Sequence, residues 1–274
     1  MEFSQRNVYI SGGTSGIGLA AGELFASLGA NIYVFSVDPE EKRRDALAAL
    51  QKAAGTPGQR FEAVALDVTD HLAVDATLRA AAESFGAPYV LINSAGIGGA
   101  VYFEELSYER FDKTVQISLY GARNACAALI PYMKKDGGYV VNVSSMSGLI
   151  GLIGYAAYAS AKFGMVGLSM ALRSEYKKYG IKVAAFCPPQ VDTPLLRETD
   201  KTKPPEVKAI NNNAGVLTPA EAAQGLLIGM KKDQPIIVPG TKGALFYHFN
   251  RLFPRIRERM TDRVIRRVQQ QMKD

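Results

Sequence analysis

Asn7-Val-Tyr-Ile-Ser11 is a β-branched and aromatic run that passes without a break into Gly12-Gly13-Thr14-Ser15-Gly16-Ile17-Gly18, and that turn opens onto Leu19 to Leu28, whose apolar residues have helical spacing. A strand that ends in glycines and feeds a helix leaves free N–H groups at the helix start, where a pyrophosphate is stabilised. Gly12, Gly16 and Gly18 permit tight backbone geometry and close approach of such a group, and Thr14, Ser15 and Ile17 complete the cradle between them. An ordinary glycine-rich turn looks the same in isolation. The strand before it and the helix after it are the context that the phosphate-binding reading demands.

Outward from this turn, apolar strand-like runs alternate with helix-length segments: Asn31 to Val37, Phe61 to Asp67, Tyr89 to Asn93, Tyr139 to Ser144, Lys182 to Cys187 and Pro235 to Val238. Most are near-continuous Val, Ile, Leu and Tyr, as expected of parallel strands buried on both faces. The pattern predicts an α/β fold, a single-domain Rossmann-like doubly wound parallel sheet of about seven strands with a C-terminal helical extension. Residues 1–247 form the expected catalytic domain, and ligands are expected outside the carboxyl ends of its strands. The Pro-rich segment 188–217, with Asn211-Asn-Asn213, has no clear period. It reads as a long loop, and its place after a strand end suggests a substrate lid.

The net charge of +6 is concentrated in 248–274, where eight Lys/Arg face Glu258, Asp262 and Asp274. The body is nearly neutral, so nucleic acid binding is not expected. Met1 to Arg6 is polar and no apolar run reaches the ~18 residues of a membrane span, which points to the cytoplasm. Cys126 and Cys187 lack metal-ligand spacing, so no metal is expected and core packing accounts for both thiols. In the tail, Leu245, Phe249, Leu252, Ile256, Met260, Val264, Val268 and Met272 recur at helical spacing among arginines, with Pro254 as a break. Such a basic amphipathic extension either packs on protein, the favoured use, or makes a peripheral contact with anionic membrane.

Tyr158-Ala-Ser-Ala-Lys162 sets a phenol and an ammonium one helical turn apart, and Ser145 stands thirteen residues upstream at a strand end. A phenol titrates near 10, so a neighbouring positive charge is needed to make it a usable acid or base near neutrality. Tyr and Lys on a merely solvated face would show the same spacing. Combined with Ser145 and the glycine turn, they read as a reacting centre.

The GxxxGxG spacing, the Tyr-x-x-x-Lys pair and Ser145 together resemble the short-chain dehydrogenase/reductase family. Asp67-Val68 corresponds to that family's adenine contact, and Asn93-Ser94-Ala95-Gly96 is similar to its Asn-Asn-Ala-Gly element, with Ser94 replacing the second Asn. The resemblance implies that Tyr158 protonates a carbonyl oxygen, that Ser145 holds that oxygen, and that Lys162 lowers the Tyr pKa and binds the nicotinamide ribose. It also implies that Pro188, Val191 and Thr193 face the cofactor, and that the enzyme is a homodimer or homotetramer built on the helices carrying Ser118 and Tyr158. Ser118 stands where the family has the Asn of its proton relay, and a hydroxyl cannot offer both amide functions. The other class of protein compatible with this departure is a nucleotide-binding regulator without turnover.

Ser36 occupies the place of the acidic ribose ligand of NAD-preferring members, which leaves room for a 2'-phosphate and favours NADP(H), with NAD(H) the other choice. The usual arginines are replaced by Ser15 and Val37, so Ser36, Ser15 and Lys42, Arg43 or Arg44 would receive the phosphate. Asp38 is either a ribose ligand or, as the favoured reading of Asp38-Pro-Glu-Glu41, a helix N-cap. Cys187-Pro-Pro-Gln-Val-Asp-Thr-Pro194 and Thr202-Lys-Pro-Pro-Glu206 more narrowly resemble 3-ketodihydrosphingosine reductases, which implies an apolar or long-chain carbonyl substrate or its alcohol; steroid, 3-oxoacyl and small ketones are the alternatives. Leu149, Ile150, Leu152 and Ile153 form either an apolar wall beside the centre or ordinary packing.

Overall fold

The computed structural model describes residues 2–211 and 215–272. Residues 212–214 of the expected lid, with most of the Asn211 run, and residues 273–274 of the extension lie outside the described residues. The first half alternates strictly: β1 (Asn7–Ser11), α1 (Gly16–Ser27), β2 (Asn31–Ser36), α2 (Glu40–Lys52), β3 (Phe61–Ala65), α3 (His71–Ser84) and β4 (Val90–Asn93). Then come α4 (Tyr108–Val115), a π-helical turn (Gln116–Tyr120), α5 (Gly121–Met133), β5 (Gly138–Val143), α6 (Ala156–Tyr176) and β6 (Ile181–Phe186). Beyond β6 lie β7 (Gln190–Val191), α7 (Pro194–Asp200), α8 (Pro205–Asn211), β8 (Val216–Leu217), α9 (Pro219–Lys231), β9 (Ile236–Ile237), α10 (Thr241–Leu252) and α11 (Pro254–Gln271).

Seven strands pair in parallel in the order β3-β2-β1-β4-β5-β6-β9, so the direction of winding reverses between β1 and β4. Successive residues of a strand face opposite sides, and both sides are dry. Val8, Ile10, Ile32, Val34 and Ile92 pack with α1 and α9, while Tyr9, Tyr33, Phe35, Leu91 and Val140 pack with α3 and α5. This two-sided burial explains why the strands read as continuous apolar runs rather than alternating ones.

Two local expectations are corrected. The 188–217 segment is not a featureless loop: it contains α7 and α8, and the parallel pair β7–β8 closes its base. Thr193 caps α7, Thr218 and Glu221 form a capping box on α9, and these local bonds define both ends of the segment. Asp38 does not cap α2. The helix starts one residue later, with Pro39 at the N-cap and no side-chain cap bond. The extension is two helices meeting at Phe253–Pro254, and α11 packs one face on α8. Among the described residues no helix is long and apolar enough to cross a membrane.

Candidate active site

The glycine turn lies at the carboxyl end of β1, beside the point where the winding reverses. Gly12 and Gly16 adopt φ of 63° and 55°, a region that a Cβ penalises. A Cβ on Gly12 would sit 2.9 Å from the Ala95 backbone, and one on Gly18 2.4 Å from the Gly12 carbonyl. Ser11 Oγ accepts from the N–H groups of Ser94 and Ala95 at 3.0 and 3.1 Å, which pins the 93–96 segment against the turn. Thr193 also arrives here, its methyl 3.0 Å from where a Gly16 Cβ would be. Gly12, Gly16, Gly18, Ala95, Gly96 and Thr193 are thus brought together. Pro188 lies instead next to the Ser145 segment, its carbonyl accepting from the Met146 N–H at 3.0 Å.

At the end of β2, Ser36 Oγ donates to Asp38 Oδ2 at 2.8 Å, and Thr14 Oγ1 also donates to that oxygen. Lys42 Nζ pairs with Asp38 Oδ1 at 2.8 Å. Three donors outweigh the single backbone N–H that a cap would have offered, which is why Asp38 turns toward the cradle. These bonds hold its carboxyl below the usual range despite the opposing effect of burial. Asp67 is folded locally, accepting from the N–H and hydroxyl of Thr69, while Val68 is buried against Gly121.

Deeper in, α6 delivers Tyr158 and Lys162. Lys162 is 4% exposed; its ammonium donates to the Val143 carbonyl at 2.8 Å and lies 5.6 Å from the centre of the Tyr158 ring. Burial lowers its pKa to about 8. Burial likewise pushes the Tyr158 phenol up to about 12, with a hydrogen bond from Ser145 as a smaller lowering effect. The expected lowering of the phenol by Lys162 is therefore not the dominant effect: desolvation wins, and the phenol is held as a neutral acid. Ser145 also accepts from the Ser147 N–H at 3.1 Å, so its oxygen is fixed beside the phenol.

Ser118 lies in the π-helical turn, a distortion that rotates one residue out of the α-helical pattern. It is fully buried, its hydroxyl has no protein partner, and it lies 3.3 Å from where a Cβ on Gly96 would be, with Lys162 Nζ 3.4 Å from the same point. The absent side chain of Gly96 therefore opens a small space shared by Ser118 and Lys162. Asn93 donates to Asn142 at 2.7 Å, and its own carbonyl oxygen is a second buried, unpartnered acceptor. A glycine cradle that any Cβ would fill and the orphaned Ser118 hydroxyl beside Lys162 fit a bound dinucleotide.

Some residues that the structure sets beside the candidate site carried little sequence signal. Ser144, next to Ser145, donates to the Lys162 carbonyl at 2.8 Å and ties α6 to the end of β5. Val207 of α8 packs with Ala100, Tyr155 and Ala159, against which Leu152, Ile153 and Tyr158 also lie. The four expected wall residues therefore divide: Leu152 and Ile153 face the Tyr158 side, whereas Leu149 packs with Val166 and Cys187, and Ile150 is buried. Only the doubling Ser144-Ser145 hinted at a second role; Val207 had no motif to mark it.

A doubly wound parallel sheet with a phosphate cradle at its switch point, and Ser, Tyr and Lys converging there, defines a nicotinamide-dependent oxidoreductase. Residues 6–204 match the short chain dehydrogenase family model, and the chain belongs to that family. It is 34% identical over 226 residues to a 3-dehydrosphinganine reductase of Danio rerio, covering 82% of this chain and 68% of that one. It is also 34% identical over 207 residues to a levodione reductase of Leifsonia aquatica, covering 75% and 76%. A crystal structure of levodione reductase superposes with a TM-score of 0.78 at 29% identity, covering 88% of this chain and 99% of that one.

Proposed function

We propose that this enzyme reduces a ketone to an alcohol with NADP(H), on an apolar or long-chain substrate for which a 3-ketosphingoid base is the first candidate. The observation that carries the reading is the partly buried, neutral Tyr158 beside Ser145 and Lys162, at an apolar cluster that Val207, Leu152 and Ile153 share. When bound, the nicotinamide supplies the hydride. Tyr158 gives its phenolic proton to the carbonyl oxygen, which Ser145 holds by a hydrogen bond. Lys162 binds the ribose and stabilises the phenolate left behind, and Ser118 opposite it positions the water that returns the proton. The 3-dehydrosphinganine reductase relative supports the long-chain ketone, and the levodione reductase relative makes small cyclic ketones the comparison class.

Ser36 at the end of β2, with Lys42 and Arg43 on the first turn of α2, supports a 2'-phosphate and hence NADP(H). A specific observation favours NAD(H) as a second reading: the Asp38 carboxylate occupies the hydroxyls of Ser36 and Thr14 and would accept from a ribose 2'-OH. Asp38 has to release Ser36 before that serine can serve a phosphate. For assembly, a homodimer or homotetramer is supported by the outer face of α6, where Phe163 and Met170 are exposed on either side of the uncovered Gly167.

The test is a panel of long-chain 3-keto bases, 3-oxoacyl thioesters, steroids and cyclic ketones under NADPH and NADH. Reduction of a long-chain 3-keto base with the highest kcat/KM supports the proposal. Preference for a small ketone refutes the substrate, and nucleotide binding without reduction of any compound refutes the reaction.

A further inference from the structure

The arm formed by α10 and α11 presents a surface that the reaction does not use. The inner face of α11, with Val264, Ile265 and Val268 half-buried, rests on α8, and Gln269 donates to Glu206 at 3.3 Å. Ile256 and Met260 stand on the other side, 49% and 54% exposed, and Phe253 at the elbow and Leu252 and Leu245 before it are exposed as well. At about 100° per residue, Arg255, Arg259, Arg263, Arg266 and Arg267 fall on that same outer side of α11. Among the described residues none of these five stands in an ion pair. Residues 241–272 hold eight Lys/Arg against Glu258 and Asp262, while the rest of the chain is nearly balanced.

We propose that this face docks on an anionic lipid surface, with Ile256, Met260 and the elbow residues entering the headgroup boundary and the arginines meeting lipid phosphates. Large exposed side chains set within a ring of uncompensated arginines suit a medium that is apolar beneath and negative at its edge. A second copy of the chain suits it less well, because a two-fold contact would bring the same arginines face to face. The proposal goes beyond the reaction proposed above and stands on the arm alone, but the two are adjacent. α8, on which α11 rests, also carries Val207 of the cluster beside Tyr158, and Glu206 next to it accepts from Tyr102 at 2.7 Å.

The full chain is floated with vesicles of phosphatidylcholine alone and with vesicles of equimolar phosphatidylcholine and phosphatidylglycerol. Binding to the anionic vesicles only, weakened by salt, is the expected result. The double variant Arg263→Gln/Arg267→Gln should lower partition about 30-fold, at roughly a factor of five per arginine. Ile256→Glu should also release the protein, which separates insertion from simple ion exchange. Melting temperature and nucleotide binding, neither of which requires turnover, should stay at wild-type values in both variants. Failure of the wild type to float with anionic vesicles, or floating that survives both variants, overturns the proposal. So does an Ile256→Glu variant that still floats while light scattering shows a wild-type oligomer falling apart, because the face then belongs to a second copy.

Discussion

Tyr158→Phe removes one oxygen and keeps the ring that packs against the cluster of Ala100, Tyr155, Ala159 and Val207. If Tyr158 is the proton donor, the loss is that of a positioned general acid, about 10²- to 10⁴-fold in rate. By transition-state arithmetic this is about 3–5 kcal/mol. The structural loss is much smaller. The interaction of the phenol with Ser145 that is lost would be worth no more than about 1 kcal/mol net, and Ser145 keeps its bond from the Ser147 N–H. Removing a hydroxyl that burial penalises offsets part of that loss, so the melting temperature should move by no more than about 2–4 °C in a chain of this size. Single-turnover consumption of reduced nicotinamide cofactor with the preferred ketone measures the first quantity, and thermal denaturation measures the second. Cofactor fluorescence titration should show nucleotide affinity largely intact. A variant that keeps the native melting temperature and a rate within about tenfold of wild type would refute the assignment of the acid.

Lys162 titrates near 8 and Tyr158 near 12, so reduction should fall as pH rises through about 8 while the phenol still holds its proton. Stability should move the other way. The folded lysine loses its proton before the unfolded one at 10.5, so between about 8 and 10.5 the unfolded chain binds more protons and wild type gains stability relative to Lys162→Met in denaturant titrations. Ser118→Ala should slow proton-coupled turnover with little change in nucleotide affinity, whereas Ser118→Asn should preserve or raise the rate; an unchanged rate in a stable Ser118→Ala protein removes the relay role. Ser36→Asp places a carboxylate against a 2'-phosphate and should reverse a preference for NADPH over NADH, measured by fluorescence titration. Tighter NADH binding in wild type, lost in Asp38→Ala, would instead assign Asp38 to the ribose.

The amino-acid sequence by itself determined the sheet, the glycine turn and the spacing of the proposed reacting pair, because each depends on local covalent geometry. Strands buried on both sides must be apolar throughout, a turn with φ of 63° and 55° next to another backbone selects glycine, and a four-residue step places Tyr158 and Lys162 on one helix face. What depends on distant partners was decided only by the tertiary structure. The Asp38-Pro-Glu-Glu41 pattern is a sound capping signal, yet donors from the glycine turn, β2 and α2 drew the carboxylate away. The helices α7 and α8 span seven residues each, too few to show a period, and they are secured by packing, as where Leu195 and Thr199 cover Gly98 and Val207 covers Gly154. The acidity of the phenol followed the same rule. Spacing brought an ammonium near Tyr158, but the depth at which the fold buries both groups decides which proton each one keeps.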